Sequence, residues 1–311
     1  MGTDLTTPPP APEDIASLEA GLDALDTHAE AKRWSFRSIL GRTFGVLVTF
    51  AVVLVIWQVV SLFHPDYLFP SPLEAYNGFR DTYGWGKLGS IIYVSVHRAV
   101  IGFAISVLVA TPLGLLVWSV RLIRRYFSPI LSGLQSLPSV AWVPPAVIWF
   151  GSSQKALYAV VLLGAIPSIA NGLMSGLDNI PKLYRRAGFV LGARGVRNAQ
   201  YVLLPAALPG YISGLRQGWA FSWRSLMAAE LITQSKELGQ GLGATLENFR
   251  NLTDMPGIFA TIVAILFVGV VIELCFFAPL ERTVLARRGL GALDTRSGGG
   301  WLSRRADKPS R

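Results

Sequence analysis

The sequence is poor in the residues that most often bind metals or form disulfides. Its single cysteine, Cys275, excludes an intrachain disulfide and a CxxC metal or redox site. The three histidines, His28, His64 and His97, are far apart, and none belongs to an HExxH sequence. The sequence therefore does not indicate an enzyme that depends on clustered histidines or acidic residues.

Charged residues are also scarce, at 15% of the chain, against about 25% in an ordinary soluble domain. Hydrophobic residues make up 51%, and the mean hydropathy is +0.45. This balance is typical of a protein dissolved in lipid. The net charge of +9 does not indicate nucleic-acid binding, because the basic residues lie between long apolar runs. No GxxxxGK[ST] sequence occurs, so we do not expect the chain to hold ATP phosphates itself.

Residues 1–31 contain seven acidic residues and no lysine or arginine. A secretory signal peptide needs positive charge followed by an apolar stretch, so we do not expect this segment to be one. The proline-rich run at residues 7–12 adds stiff, non-helical character. We predict residues 1–42 to be an N-terminal tail, with residues 1–30 disordered.

Six runs of the chain are apolar and, at about 20 residues or more, long enough to cross a bilayer as helices. The third run is expected to be irregular, because its four prolines cannot all fit a straight helix. The sequence thus predicts an all-α membrane protein with six transmembrane helices over residues 43–288 and a tail over 289–311. The predicted spans are Phe44–Phe63, Ile91–Val120, Tyr126–Gln154, Ala156–Leu177, Leu208–Ala229 and Gly257–Leu280.

The loops between these spans alternate between basic and mixed charge. The bias is the same at every crossing, so we predict a multi-pass protein of the bacterial plasma membrane with both termini cytoplasmic. His97 and Arg98, near the outer end of the second span, are expected to be interfacial. The basic residues assigned to the cytoplasmic side are Lys32, Arg33, Arg37, Arg42, Arg121, Arg124, Arg125, Lys182, Arg185, Arg186, Arg194, Arg197, Arg282, Arg287 and Arg288.

A short amphipathic helix is predicted in the loop between spans four and five. Asp178 and Asn179 are favourable helix-starting residues, and Pro181 suits a first turn. Gly192 can end the helix in a left-handed conformation. The apolar residues recur on one helical face, at Leu183, Ala187, Val190 and Leu191.

This loop resembles the EAA loop of ABC importer permeases, whose pattern is Glu-Ala-Ala, three residues, Gly, nine residues, then Ile-x-Leu-Pro. The second half of the pattern falls in a short segment, Val196–Leu204, which is expected to stop at Pro205. Arg186 stands where the family usually has glutamate, and Gly188 replaces the second alanine. The matching positions are Ala187, Gly192, Val202, Leu204 and Pro205.

The resemblance extends over residues 67–288. Leu68–Pro72 is similar to the family's segment before the second span, and Asn248–Arg250 is also family-like. Leu137–Pro144 looks like the stretch typical of the sulfonate, nitrate and taurine branch. The chain therefore resembles a permease subunit of that branch.

The resemblance implies a five-helix importer-permease (MetI-like) core within the six spans. It further implies import of a small, sulfonate-like anion by alternating access, with the EAA loop forming a coupling helix in a groove of an ABC ATPase. The expected partners are an ATPase dimer, a second permease copy in a homodimer, an extracytoplasmic substrate-binding protein and membrane lipid, but not nucleic acid. We expect no cofactor and no enzymatic activity on this chain, with ATP and Mg bound by the separate ATPase.

Two alternatives follow from the residues alone. The amphipathic helix could lie on the lipid surface, and the chain could be an ion-coupled secondary transporter. The second alternative needs membrane-embedded carboxylates, for which Glu273 and Glu230 are the candidates, and it is weakened because no internal repeat is evident. The substrate stays open among sulfonate, taurine, nitrate, bicarbonate and a thiamine precursor.

Arg224 is the main candidate for contact with an anion. An ionisable residue inside a span costs roughly 2.5–3.5 kcal/mol to insert, so it usually faces a cavity or a partner. A guanidinium suits a sulfonate or nitrate, but Arg224 could instead pair with Glu230 or Glu273. Arg216 lies nearer the cytoplasmic end, where it can snorkel. Glu273 could balance Arg216 or a neighbouring chain.

Five further residues are candidates for the substrate path. Pro138, Ser139 and Trp142 lie on the irregular third span, where unwound backbone either lines a cavity or packs on protein. Trp219 and Trp223 are four residues apart and share a helical face. Such a pair more often packs or anchors a helix at the interface than contacts a ligand.

Overall fold

The computed structural model describes residues 36–65, 67–233, 235 and 238–287. The predicted disorder at 1–30 and the predicted tail at 289–311 lie outside these residues, and the predicted domain boundaries stay predictions. The chain divides into two compact units between Val59 and Val60. The described part of the first unit consists of most of one helix. The second unit contains every described residue of the candidate site.

The described residues form helices joined by short connections and contain no β-strand. This confirms the predicted all-α class. A 3₁₀ turn occurs at Ser139–Trp142, and π-helical segments occur at Ala199–Leu203 and Glu273–Phe277. The α-helices are α1 (Phe36–Leu62), α2 (Pro72–Ser119), α3 (Arg121–Ser136), α4 (Val143–Phe150), α5 (Gln154–Asp178), α6 (Lys182–Val190), α7 (Gly195–Asn198), α8 (Leu204–Ile232), α9 (Leu242–Asn251), α10 (Met255–Ile272) and α11 (Ala278–Arg287).

Three helical stretches of the described chain are long and apolar enough to cross a membrane: Gly86–Ser119, Gln154–Asp178 and Met255–Leu285. They match the predicted second, fourth and sixth spans. Val48–Leu62 and Ser139–Phe150 are shorter apolar helices in the regions of the predicted first and third spans. The predicted fifth span lies within α8. The total of six spans stays a prediction.

Helix α2 begins with a capping box and bends at a glycine. The backbone N–H of Ser71 donates to the Glu74 carboxylate at 2.7 Å, and the N–H of Glu74 donates to the Ser71 hydroxyl at 3.3 Å. These bonds satisfy two groups that a helix start otherwise leaves unpaired. Gly84 has a φ of +65°, which residues with a side chain rarely adopt. It separates the first turns of α2 from the apolar stretch that begins at Gly86.

The predicted third span is a helix, a break and a second helix. Helix α3 starts at Arg121, earlier than predicted, and ends at Ser136. The break falls before Pro138, because proline disfavours the helical conformation in the preceding residue and has no N–H to donate. Pro144 and Pro145 lie in the first turn of α4, where proline is tolerated. The predicted irregularity is confirmed, and its position follows from Pro138.

Helices α5 and α8 pack against each other through glycines. Gly172 and Gly176 are four residues apart on α5, and Gly210 and Gly214 are four apart on α8. A Cβ on Gly214 would lie 2.7 Å from the Cα of Gly172, and a Cβ on Gly210 would lie 2.5 Å from the Cα of Gly176. Small residues at this spacing allow membrane helices to approach closely. The loop that carries the predicted amphipathic helix connects these two helices.

Candidate functional site

The loop between α5 and α8 rests on a buried apolar cluster. Leu173 and Leu177 from α5 pack with Leu203, at the end of the π-helical segment, and with Ala207, at the start of α8. Ile180 joins them from the loop itself. All five side chains are buried. Apolar surface removed from water stabilises a fold by about 25 cal/mol per Å². The two ends of the loop are therefore held together by packing.

The side chain of Asp178 fixes the start of the loop through hydrogen bonds. Its carboxylate accepts two hydrogen bonds from Arg124, at 2.9 and 2.5 Å, and a third from the Trp118 indole at 2.9 Å. The hydrogen bond to Asp178 raises the pKa of Arg124 above its ordinary value, so this arginine stays charged. Asp178 does not start the loop helix as predicted. It is the last residue of α5, and Pro181, not Asn179, precedes the first residue of α6.

Helix α6 ends as the sequence predicts. Gly192 has a φ of +78°, which confirms the left-handed cap. The N–H of Ala193 donates to the carbonyl of Gly188 at 2.9 Å, and the N–H of Gly192 donates to that of Phe189 at 3.1 Å. This pair of bonds is a Schellman motif, which satisfies carbonyls that the helix end would otherwise expose. A residue with a side chain at position 192 would be strained.

Two positions of the motif touch each other. A Cβ on Gly188 would lie 2.9 Å from Cγ2 and 3.1 Å from Cγ1 of Val202. Gly188 thus lets α6 lie directly on the π-helical segment that contains Val202. The sequence spacing between the two halves of the motif therefore corresponds to a contact. Leu204 is half-buried and packs on the cluster below the loop.

Pro205 does not stop the second short segment, so that prediction is wrong. The helical path continues from Gly195 through the π-helical residues into α8, with Pro205 in the first turn of α8. In an α-helix the proline ring would clash with the carbonyl four residues earlier. The wider π-helical turn precedes the proline at the place where that clash would occur.

The apolar face of α6 is uncovered in the described chain. Leu183, Val190 and Leu191 are exposed by 75%, 82% and 86%. Arg186 and Ala187 are also exposed, and Arg186 lines a groove of about 620 Å³ beside the helix. The predicted amphipathic surface is therefore present, and its apolar residues face outward from the fold.

Arg224 lies on the exposed side of α8. Its Nε donates to the carbonyl of Ala220 at 3.0 Å, and its guanidinium lies 4.7 Å from the ring centroid of Phe221. These contacts orient the side chain along its own helix and leave its charge uncompensated within the described residues. A cation in this state is available to an anionic ligand.

The ion pairs expected as alternatives for Arg224 are wrong. Glu230 pairs with Arg98 at 2.9 Å, and Glu273 pairs with Arg216. The balance of Arg216 by Glu273 is confirmed, and Glu281 adds a second contact to Arg216 at 3.0 Å.

Trp219 and Trp223 lie in the core of the second unit. Their exposed fractions are 6% and 7%, and both belong to the main buried cluster. Their contacts favour the packing alternative over contact with a ligand. Trp142 is half-buried and packs on the same cluster, Ser139 is half-buried, and Pro138 is exposed at the break. A role of these residues in a substrate path stays a prediction.

The structure reveals a buried polar cluster that sequence reasoning missed. Arg98, expected to be interfacial, is 4% exposed and pairs with Glu230, which is 2% exposed. The Glu230 carboxylate also accepts from the Ser95 hydroxyl at 2.7 Å and from the Gly243 N–H at 3.1 Å. Arg98 donates in addition to the carbonyl of Leu238. This cluster ties α2, the end of α8 and the start of α9 together.

The sequence matches a family model over residues 102–284, more than half of the chain. The family is described as "Binding-protein-dependent transport system inner membrane component". The chain is 30% identical over 249 residues to the nitrate import permease protein NrtB of Synechocystis sp., covering 76% of this chain and 88% of that protein. It is 27% identical over 257 residues to the taurine transport system permease protein TauC of Escherichia coli, covering 78% and 90%.

The fold is similar to that of a chain of the MetNI methionine ABC transporter in inward-facing conformations. The TM-score is 0.55, and the match covers 63% of this chain and 95% of that chain. The sequences are 19% identical, so the likeness concerns the fold. The chain thus has a MetI-like neighbour among solved structures.

Proposed function

The chain belongs to the family of binding-protein-dependent transport system inner membrane components, in its nitrate, sulfonate and taurine branch, and from this premise we propose that it is the permease subunit of an ATP-driven importer for a small anion. In this proposal the chain moves its substrate by alternating access. The hydrolysis of ATP takes place on a separate ATPase subunit, which also holds the Mg.

The uncovered face of α6 is the observation that carries this proposal. Leu183, Val190 and Leu191 project from a loop that is fixed at both ends by buried packing. An apolar surface on a rigid base is suited to a permanent partner. An ATPase seated there would push on α5 and α8 at once, because the loop connects these two tightly packed helices.

Arg224 supports an anion as the substrate. It is a cation on a long helix without a carboxylate partner among the described residues. Two relatives are named for nitrate and taurine; nitrate is an oxyanion, and taurine has an anionic sulfonate group. We propose a sulfonate-like anion as the substrate and Arg224 as its contact, with Pro138 and Ser139 at the break between α3 and α4 as further path residues.

The assembly follows the same proposal. Six spans with a five-helix core place both termini and the α6 loop on the cytoplasmic side. A second copy of the chain completes the pathway as a homodimer, two ATPase subunits bind from the cytoplasm, and an extracytoplasmic binding protein delivers the substrate. The alternating loop charge supports this orientation.

An ion-coupled secondary transporter is less well supported. Such a transporter needs a membrane carboxylate that can take up and release a cation. The two candidates, Glu230 and Glu273, are bound to Arg98 and Arg216. Their charges are already compensated by arginines.

The test is co-purification followed by transport. The tagged full-length chain is extracted from its native membranes, its partners are identified by mass spectrometry, and the complex is placed in vesicles. We expect an ATPase subunit to co-purify and the uptake of taurine, an alkanesulfonate or nitrate to require ATP and the binding protein. Gly192→Asp should release the ATPase, because aspartate is strained at a φ of +78°.

Gly86→Asp is the matched control, since Gly86 has open space around it, an ordinary φ and a position before the predicted second span. It should leave the complex intact. A chain that purifies alone and moves solute without ATP would make the secondary transporter the correct function.

A further inference from the structure

The α6 loop is positively charged without any acidic residue to balance it. Between Asp178 and Glu230 the sequence has no aspartate or glutamate, while residues 182–197 contain five basic residues. Asp178 itself is engaged by Arg124. Among the described residues, no ion pair compensates Lys182, Arg186, Arg194 or Arg197. The loops that it resembles usually carry a glutamate at the position of Arg186.

Two of these basic residues, Lys182 and Arg186, line a shallow groove together with apolar residues. The groove has a volume of about 620 Å³ and lies between α6 and the residues that follow it. The guanidinium of Arg194 lies 5.4 Å from the ring centroid of Phe189 and so holds one side of the surface in place. The lining residues are Lys182, Arg186, Phe189, Val190, Ala193 and Asn198.

We propose that this surface docks on an acidic region of the ATPase subunit, and that Arg186 forms an ion pair there with a carboxylate of the partner. This inference rests on the proposed function, because it assumes the ATPase as the occupant. The electrostatic polarity of the contact is the reverse of the usual one, in which the permease loop supplies the acid. The apolar residues Leu183 and Val190 supply the remaining contact area on either side of Arg186.

Reversed polarity predicts which ATPase this permease accepts. Like charges across an interface disfavour a wrong partner, and opposite charges favour the right one. An ATPase with a basic recess, suited to the usual glutamate, should be rejected by this chain. The basic loop then selects an ATPase with an acidic recess.

The experiment is a charge reversal on the complete complex in detergent. The tagged chain carries Arg186→Glu, and the affinity of its own ATPase subunit is measured at several salt concentrations. We expect the wild-type affinity to fall as salt rises and Arg186→Glu to weaken binding by at least about tenfold. An aspartate or glutamate of the ATPase that cross-links to position 186, changed to arginine, should restore binding to Arg186→Glu.

Arg125→Glu is the matched control, because Arg125 is an exposed arginine on α3 that does not line the groove. It should bind the ATPase like the wild type. The milder Arg186→Gln should bind with intermediate affinity. The melting temperature of each purified variant shows that the chain is folded.

Each other outcome overturns the inference. Equal or tighter binding by Arg186→Glu means that the partner's recess is basic and the usual polarity holds. Arg186→Glu that keeps its ATPase but no longer binds vesicles of anionic lipid means that the basic loop contacts the membrane. If the wild-type chain retains no ATPase at all, the proposed function is wrong. If the wild type binds the ATPase and Arg186→Glu binds it equally well, only the role of Arg186 is wrong.

Discussion

Arg98 is a cation that the fold compensates entirely from within. It pairs with Glu230, and both side chains are almost fully buried. Removing one member of a buried pair leaves the other as an isolated charge, which costs about 3–5 kcal/mol. The stability of the contact between α2 and the end of α8 therefore depends on one guanidinium.

We expect Arg98→Met to lower the free energy of unfolding by about 3–5 kcal/mol, because Glu230 loses its counter-charge. Thermal unfolding of the purified chain in detergent measures the effect. Arg121→Met, at an exposed position outside the described ion pairs, is the control and should change little. Equal melting temperatures for the two variants would contradict the structural importance of the pair, and Arg98→Met combined with Glu230→Leu should recover part of the loss.

The contact between Gly188 and Val202 can be tested by enlarging one residue and then reducing the other. We expect Gly188→Val to destabilise α6 by about 2 kcal/mol through overpacking against Val202, or roughly thirtyfold in the local opening equilibrium. Hydrogen–deuterium exchange of residues 182–193 reports this opening. Adding Val202→Ala makes room and should slow the exchange again. Fast exchange in the double variant would mean that the two residues do not share the contact.

For single residues, the sequence predicts properties that depend on neighbouring residues in the chain. The left-handed Gly192 follows from its place after an amphipathic run, and the structure has it at a φ of +78°. The burial of Arg98 could not be predicted in this way. His97 and Arg98 are neighbours in sequence, but adjacent helical residues point about 100° apart. The partner that decides which of them is buried lies 132 positions away.

Among the elements, the pair formed by α5 and α8 sets the geometry of the α6 loop. The two helices approach through Gly172, Gly176, Gly210 and Gly214. The loop has its ends on this pair and its base on the apolar cluster around Leu177. A displacement of α6 therefore reaches both helices without passing through a flexible hinge.

We expect Gly172→Ala to destabilise the fold by about 3 kcal/mol, since its methyl group would overlap the backbone of Gly214. Thermal unfolding in detergent measures the loss. The same change at Gly133 serves as the control. Gly133 is helical with open space around it, so alanine there should be neutral or stabilising by up to about 1 kcal/mol. Two variants of equal stability would show that α5 and α8 can separate without cost.

The elements were predictable to different degrees. The apolar runs gave the three described stretches that are long enough to cross a membrane, because length and hydropathy are local properties. Proline positions were less informative, since Pro138 breaks a helix while Pro205 lies in the first turn of one. The difference depends on the π-helical turn before Pro205, which the sequence pattern does not indicate. The glycine contact was missed because it joins two helices across the loop.

For the whole molecule, the question is which solute the complex carries. The motif spacing was sufficient to predict the family, and the family is confirmed over residues 102–284. The substrate depends on a few side chains around a path that two copies of the chain are proposed to form. Arg224 is the candidate on this chain, since its charge is uncompensated within the described residues.

We expect Arg224→Gln to reduce ATP-dependent anion uptake by at least about tenfold, the loss of one charge-assisted hydrogen bond. Arg224→Lys should retain part of the uptake, because the charge is kept but the planar donor pair is lost. Uptake into vesicles is measured beside the ATPase activity and the amount of ATPase bound, which both variants should leave unchanged. Wild-type uptake by Arg224→Gln would place the anion contact on other residues, and Arg121→Gln controls for the loss of a charge.

The glycine contact between α5 and α8 also limits how this protein can change over generations. In most helix pairs a larger residue on one side can be offset later by a smaller residue on the other. Gly172 faces Gly214 and Gly176 faces Gly210, so neither side has a side chain left to shorten. A larger residue at any of these four positions therefore cannot be offset by a smaller residue at the opposite position, and such a lineage has lost the usual local route to recovery.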